Sequence, residues 1–375
     1  MAGAAQAILG DLEAKLARHH LRGQWQADSN RPQSVRKDAN GVLHIEPVAS
    51  GKPHVWRWSE VEPILGEACD AMPESHTARR SLILTNPGLP RGTTHTLLTG
   101  FQIVRPGEVA WAHRHTINAL RFSIRGGPDV YTVVEGRQLT MEPYDLLLTP
   151  GWTWHDHHND SGRDAIWLDG LDVPFTLALN QNFYDELGDV SQDVTECDSL
   201  TPLMVRSRAD RSAASVRPFR YPWADTQRLI DAHASDPIDP CDGRAFEFVD
   251  PRSGGSVLPT IACQIQVLPP GFDGRIQRRT ASATAFVIAG EGRVVLSDDT
   301  LSWSRHDSFV LPNWTRYRLV NASQREPALI FTMSDRPMLD AFGFYREETE
   351  GGDTAPSLAA KTPIGPAVER ASALS

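Results

Sequence analysis

Two textures of hydrophobic and polar positions divide the chain. From about Ala5 to His20 the apolar residues Ile8, Leu9, Leu12 and Leu16 recur at helical spacing, and Gly23 with the cluster Asp28 to Pro32 ends the pattern, so an amphipathic helix is predicted there. Pro32, Pro47 and Pro53 interrupt the next stretch, and WRWSEVEPILGEAC then predicts a second helix with Ser59 as its N-cap. Trp56 and Trp58 in this run either line a pocket or pack the arm onto its neighbour. From Arg79 the texture changes to short strand-like runs (SLILTN, THTLLTGFQIV, LRFSIR, YTVVEG, QLTMEP, DLLLTP, AIWLDGLDV). Pro/Gly turns separate them at the spacing of an antiparallel barrel or jelly roll, so this part of the chain is predicted to be all-β.

An internal repeat makes that prediction more specific. The segment PGEVAWAHRHTINALRFSIRG aligns without a gap on PGFDGRIQRRTASATAFVIAG, pairing Gly107 with Gly271, Phe122 with Phe286 and Gly126 with Gly290. After a slip of two residues, DLLLTPGWTWHDHHN falls on DSFVLPNWTRYRLVN, pairing Asp145 with Asp307, Pro150 with Pro312, Trp152 with Trp314 and Asn159 with Asn321. Two copies of one barrel follow. We divide the chain into an N-terminal helical arm (1–78), a first barrel (79–180), an inter-barrel linker (181–245), a second barrel (246–345) and a loose tail (346–375). The linker is rich in Asp, Ser, Arg and Pro, with a short helix at WADTQRLIDAHAS, and the tail has little that can be buried.

The candidate chemistry lies between Trp111 and Asn159, which holds five of the thirteen histidines. His113 and His115 are two apart on a strand-like run, so their side chains leave one face about 7 Å apart, the span of a chelate. His155 follows the run DLLLTP and the turn PGW, from which a returning antiparallel strand brings it beside the first pair. The second copy has Gln277, Arg279 and Tyr317 at these positions, and arginine and tyrosine are poor ligands for a divalent ion there, so only the first barrel is expected to hold metal. Arg121 follows His115 by an even offset and should face the same way, placed to grip a carboxylate. The second copy has Ala285 there. His157, two after His155, faces inward as a candidate acid/base, while His158 points outward. Asp169 and Asp172 either orient a ligand histidine or serve the core and turns.

Composition and charge narrow the partners. With 40% apolar residues the chain has enough for real cores, and a net charge of -10 without a basic run argues against nucleic-acid or anionic-membrane partners. Cys69, Cys197, Cys241 and Cys263 lie far apart in no disulfide or zinc pattern, and the N-terminus reads as neither a signal peptide nor a membrane span, so a cytoplasmic location is expected.

At this point the residues resemble a known family. PGEVAWAHRH with Gly126 resembles the first cupin motif, and PGWTWHDHHN the second. The doubled barrel with one metal-free copy, the runs AHRHT and ALRF, LTPGWTWHDH and WLDGLDVP together resemble the gentisate, salicylate and 1-hydroxy-2-naphthoate dioxygenases across roughly residues 56–345. The implied fold is an all-β bicupin. Where many manganese cupins carry a glutamate ligand after HxH, this chain has Ala119 and Leu120, leaving three histidines and no carboxylate. Such a site holds Fe(II), with open positions for a chelating 2-hydroxybenzoate and O2. The resemblance implies a 1,2-dioxygenase that opens the ring between the carboxyl- and hydroxyl-bearing carbons, assembled as a homotetramer. An arginine before the NPGL run, Arg79 or Arg80, helps hold the carboxylate. Gentisate enzymes usually carry a Trp-Ala-Ala-type run where this chain has Leu98, Thr99 and Gly100, so a reshaped wall is expected, favouring salicylate or 5-substituted salicylates over gentisate or 1-hydroxy-2-naphthoate. Competing readings are a metal-dependent isomerase or hydrolase, which should retain a carboxylate, and a ligand sensor, which should carry a DNA-binding module.

Overall fold

A computed structural model describes residues 2–23, 33–37, 40–72, 80–197, 220–351 and 355–356. Two compact units are distinguished, Met1–Val48 and Ala49–Ser375. The first holds α1 (Ala2–Arg18) and an antiparallel pair, β1 (Gln33–Lys37) and β2 (Leu43–Pro47). No helix among the described residues is long and apolar enough to cross a membrane.

The second unit opens with β3 (His54–Trp56) and α2 (Trp58–Ala71). The first barrel follows as β4 (Arg80–Ile83), β5 (Leu98–Val104), β6 (Val109–His115), β7 (Ala119–Arg125), β8 (Gly127–Val134) and β9 (Arg137–Met141). It continues with β10 (Leu146–Thr149), β11 (His155–Asn159), β12 (Ala165–Leu171) and the short helix α3 (Val173–Ala178). The stretch read as a linker contributes β13 (Tyr184–Glu186), β14 (Glu196–Cys197), β15 (Arg220–Tyr221) and α4 (Trp223–Ala232). The second barrel runs through β16 (Arg244–Phe248), β17 (Ala262–Leu268), β18 (Gln277–Arg279), β19 (Ala283–Ala289), β20 (Glu291–Leu296) and β21 (Thr300–Ser304). It closes with β22 (Ser308–Leu311), β23 (Tyr317–Asn321), β24 (Ala328–Ser334), α5 (Arg336–Ala341), β25 (Arg346–Thr349) and β26 (Ala355–Pro356).

Each barrel is two six-stranded sheets, and the two barrels are built alike. One sheet has the order β15-β10-β7-β12-β5-β4 in the first barrel and β3-β22-β19-β24-β17-β16 in the second. The facing sheets are β13-β6-β11-β8-β9-β14 and β26-β25-β18-β23-β20-β21. The repeat extends to backbone detail. Trp152 and Trp314 both take the left-handed conformation (φ 66° and 57°), their N–H groups donating to His115 O and Arg279 O. Asn159 and Asn321 pin equivalent carbonyls, those of Val104 and Arg163 in one barrel and of Leu268 and Glu326 in the other.

The repeat is longer than the sequence alignment indicated, because each barrel is preceded by a strand that pairs with the other barrel and a helix whose first N–H that other barrel caps. β3, ahead of the first barrel, pairs with β22 of the second, while β15, ahead of the second, pairs with β10 of the first; the body of α2 itself packs on β4 and β5 of the first barrel. An aspartate takes the first N–H of each helix. Asp307 accepts from Trp58 N (2.9 Å) and Arg57 Nη1 (2.8 Å), and Asp145 accepts from Trp223 N and Arg220 Nε (both 2.7 Å). Ser59 is therefore not the cap of α2. The helix starts two residues earlier than that cap would place it, Arg57 occupies the cap position without a side-chain cap, and the carboxylate comes from about 250 residues away, which local sequence cannot reveal.

The barrels share one apolar core. Phe122 stacks on Phe331 (4.1 Å between ring centroids, 8° between planes) and meets its repeat mate Phe286 at 6.0 Å. Tyr144 and its mate His306 also meet, through Tyr144 Oη and His306 Nε2 at 3.1 Å. Trp58 packs edge-on against Phe101 and His306, so the arm's tryptophan is a packing residue. Gly170 has no room for a side chain, since a Cβ there would lie 2.4 Å from Met333 Sδ.

Removing either carboxylate should loosen this exchange. Asp307→Ala and Asp145→Ala are each expected to destabilise the protein by about 2 kcal/mol, combining a lost helix cap with a lost charged hydrogen bond. Urea unfolding followed by tryptophan fluorescence measures this, and midpoints equal to wild type would mean that the two helices hold without their caps.

Candidate active site

The two sheets of the first barrel enclose a cavity of about 330 Å³. β6 and β11 are antiparallel neighbours with His155 directly opposite His113, so the returning strand brings the third imidazole beside the first pair. One ring nitrogen from each of His113, His115 and His155 lies within 4.8 Å of the others. The backbone fixes the tautomers. His113 Nδ1 meets Trp111 O at 2.7 Å, His115 Nδ1 meets Ile117 O at 2.9 Å, and His155 Nδ1 meets Thr153 O at 2.9 Å. With each Nδ1–H donated to a carbonyl, Nε2 carries the lone pair in all three rings. His155 is 1% exposed and its Nε2 is buried without a hydrogen-bond partner. Burial first, then the proximity of His113 and Arg121, holds His155 well below the usual imidazole range and therefore neutral. Three neutral imidazoles converging around an orphaned nitrogen fit a divalent metal ion. Neither Asp169 nor Asp172 orients a ligand ring, since backbone carbonyls take that role.

Arg121 lines the cavity and is 5% exposed, but the same-strand reasoning that placed it there does not hold. A turn at Thr116–Asn118 separates β6 from β7, and the two strands lie in different sheets, so Arg121 enters from across the cavity. Its Nη1 donates to Thr149 Oγ1 at 2.5 Å, and its Nε lies 3.7 Å from Asp169 Oδ1. Asp169 also accepts from Trp167 Nε1 at 3.0 Å, and burial pushes its carboxyl up to about 6 against the opposing influence of Arg121 and the indole N–H. His157 lines the cavity, 2% exposed, with its ring 5.3 Å from that of Trp167. His158 turns outward, paired with Asp156 at 2.6 Å and stacked on Tyr131.

Of the two arginines offered as carboxylate partners, Arg79 lies outside the described residues. Arg80 is a correction. On β4 the cavity is lined by Ser81 and Ile83, so Arg80 points to the opposite face, where Glu108 takes its guanidinium. Leu98 lines the cavity. Gly100 lies on the same face of β5 as Leu98 and Gln102 and permits a close approach of β4, since a Cβ there would meet Leu82 O at 2.9 Å and Ser81 Oγ at 3.2 Å.

Comparison with known proteins decides the family. Residues 100–171 match the cupin domain. The chain is 42% identical to a 1-hydroxy-2-naphthoate 1,2-dioxygenase of Nocardioides sp. (strain KP7), covering 92% of this chain and 89% of that protein. It is 37% identical to a 5-aminosalicylate 1,2-dioxygenase of Comamonas sp, covering 92% and 91%. Its fold superposes on a crystal structure of a salicylate 1,2-dioxygenase from Pseudaminobacter salicylatoxidans with a TM-score of 0.75 at 28% identity, covering 92% of this chain and 97% of that one. The chain belongs to the gentisate/salicylate 1,2-dioxygenase family. It is a bicupin, ring-cleaving oxidoreductase that incorporates both atoms of O2 into an aromatic donor.

In this dioxygenase the second barrel has an ion-pair network where the first has its histidine cluster. Arg279, the mate of His115, donates to Asp242 at 2.5 Å and lies 3.3 Å from Glu347, while Gln277 and Gln266 also donate to Asp242. A smaller cavity of about 200 Å³ remains there, walled by Ala281, Ala283 and Ala285. Sequence reading missed three groups at the active site. Gln102 is a buried amide on an otherwise apolar strand, a signal that was available. Asn182 and Tyr184 come from the presumed linker, and the Tyr184 ring stacks on His113 at 5.6 Å because β13 pairs with β6.

Substituting alanine for His113, His115 or His155 is expected to lower metal retention by roughly tenfold or more, whereas Gln277→Ala should leave it intact. Elemental analysis of the purified variants provides the check, and equal metal content in all four would sink the assignment.

Proposed function

We propose that this dioxygenase opens salicylate or a 5-substituted salicylate between its carboxyl- and hydroxyl-bearing carbons, with Fe(II) held by His113, His115 and His155. The observation that carries the proposal is the wall of the cavity opposite the histidines. There Ile83, Leu98 and Leu171, on the sheet facing that of the histidines, offer apolar surface for a ring or its substituent, with Ile117 beside His115 adding to it. Three imidazoles bring no charge of their own, so a bound ion keeps its positive charge for an anionic chelating substrate, and iron supplies the one-electron chemistry that dioxygen requires.

The remaining roles belong to buried groups of the first barrel. Arg121, steadied by Thr149 and Asp169, offers a fixed guanidinium to the substrate carboxylate or to negative charge developing beside it. His157 stands within the cavity, where an imidazole can take the proton of the ring hydroxyl and hold it. Leu98 and Ile83 would offer apolar contact to one face of a bound ring. A second reading, 1-hydroxy-2-naphthoate as substrate, is favoured by the 42% identity to a protein named for that activity.

Oxygen uptake after anaerobic Fe(II) reconstitution separates these readings. Salicylate and its 5-amino, 5-halo and 5-nitro derivatives are expected to support turnover. Uptake with 1-hydroxy-2-naphthoate alone would favour the second reading, and uptake with gentisate alone would overturn the argument from the apolar wall. In the same assay Arg121→Ala is expected to retain iron and lose roughly 10- to 150-fold in kcat/KM, the loss of one charged hydrogen bond worth about 1.5–3 kcal/mol. Unchanged kinetic constants would show that the guanidinium serves neither substrate nor reaction.

A further inference from the structure

The metal-free half makes one contact that leads directly toward the histidines. Thr260, in the segment before β17, is buried and donates its hydroxyl to Asp172 Oδ2 at 2.7 Å. Asp172, 2% exposed, accepts from Asn118 N on Oδ1 (2.9 Å) and from Asn118 Nδ2 on Oδ2 (3.0 Å). Asn118 Nδ2 also reaches Thr260 Oγ1 at 3.2 Å, and Asn118 Oδ1 accepts from Gly151 N at 3.0 Å. One carboxamide thus ties two turns together. The first carries Ile117, whose carbonyl fixes His115. The second runs from Pro150 to Thr153, whose carbonyl fixes His155, and Trp152 N in that turn donates back to His115 O at 2.6 Å.

We infer that Thr260 is a positioning residue of the metal centre. It aims Asp172 and Asn118 so that the turns bearing the Ile117 and Thr153 carbonyls keep their spacing. The inference rests on reading the three histidines as a metal site. Without the Thr260 hydroxyl, Asp172 Oδ2 loses a donor and the Asn118 amide loses an acceptor in a buried place, so the carboxamide that joins the two turns is held only by Asp172 and Gly151 N and less firmly. The metal-free barrel then serves the reaction through a hydrogen bond, beyond supplying apolar area.

The repeat supplies a matched control. Thr96 of the first half donates to Asp335 Oδ2 at 2.5 Å, Asp335 Oδ1 accepts from Ser282 N at 2.8 Å, and Ser282 Oγ accepts from Asn313 N at 3.1 Å. This is the same frame, joining the turns that carry Arg279 and Tyr317 instead of histidines. A change at Thr96 therefore loosens the contact between the halves without touching the turns of the histidine site.

The test titrates Co(II), an oxygen-stable probe, into the metal-free full-length protein and reads the dissociation constant and the thermal midpoint for wild type, Thr260→Val, Thr260→Ser, Thr96→Val and His155→Ala. Thr260→Val is expected to weaken Co(II) binding by roughly tenfold, while Thr260→Ser and Thr96→Val stay within about threefold of wild type. Both valine variants should lower the thermal midpoint to a similar degree. An unchanged dissociation constant in Thr260→Val, or an equal loss in Thr96→Val, overturns the inference. Wild-type affinity in His155→Ala instead overturns the metal-site reading beneath it. Should Thr260→Val fail to fold, Thr260→Ala, which removes the same hydroxyl, is read the same way, and undiminished Co(II) affinity in it overturns the inference.

Discussion

An exposed sheet edge is a ready template for unwanted pairing, and each half of this dioxygenase blunts one edge with a strand borrowed from the other. β10 is covered by the two residues of β15 and β22 by the three of β3, and in both places an aspartate of the covered barrel caps the helix that follows the borrowed strand. The exchange is reciprocal, so neither barrel is complete alone. The first barrel takes an edge strand from the segment ahead of the second, and the second takes one from the segment ahead of the first. The stacked phenylalanines at the pseudo-twofold contact and the Tyr144–His306 pair are held in register by the same exchange. Other features of the molecule are built on this frame, including the fixed distance between the strands that carry the histidines.

What could be read from the sequence follows from how local its cause is. Strand alternation, turn glycines and the HxH spacing are local, and the barrel strands and the meeting of His113, His115 and His155 were legible for that reason. The repeat was legible because its frame residues recur at nearly constant offset. The exchanged leaders were not, since strands of two or three residues have no measurable period and their pairing is decided by partners far along the chain. The cap of α2 failed for the same reason: Ser59 has the right chemistry at nearly the right place, but Asp307 of the other barrel already holds the first N–H. Arg121 was assigned to the cavity through a continuous strand that does not exist. It arrives there because inward faces of both sheets converge on one space. Arg80 was one residue out of phase with the cavity face of β4, an alternation that could have been applied. Tyr184 had no local signal at all, as it is drawn to His113 by the edge pairing of β13.

The two barrels also differ in how charge is balanced on one backbone. In the second, a guanidinium at the position of a ligand histidine meets Asp242 and Glu347, and its charge is spent within the protein. In the first, the cluster found among the described residues consists of three imidazoles, and the carboxylate beside Arg121 is itself pushed up to about 6 by burial. On the proposed reading, a divalent ion held there would, together with Arg121, leave an excess of positive charge in the cavity. That excess is what a substrate carrying a carboxylate and an ionisable hydroxyl can neutralise. The same fold thus gives one barrel that is electrostatically closed and one that, on the proposed reading, an anionic substrate would complete, through the exchange of a few side chains on β6, β7 and β11.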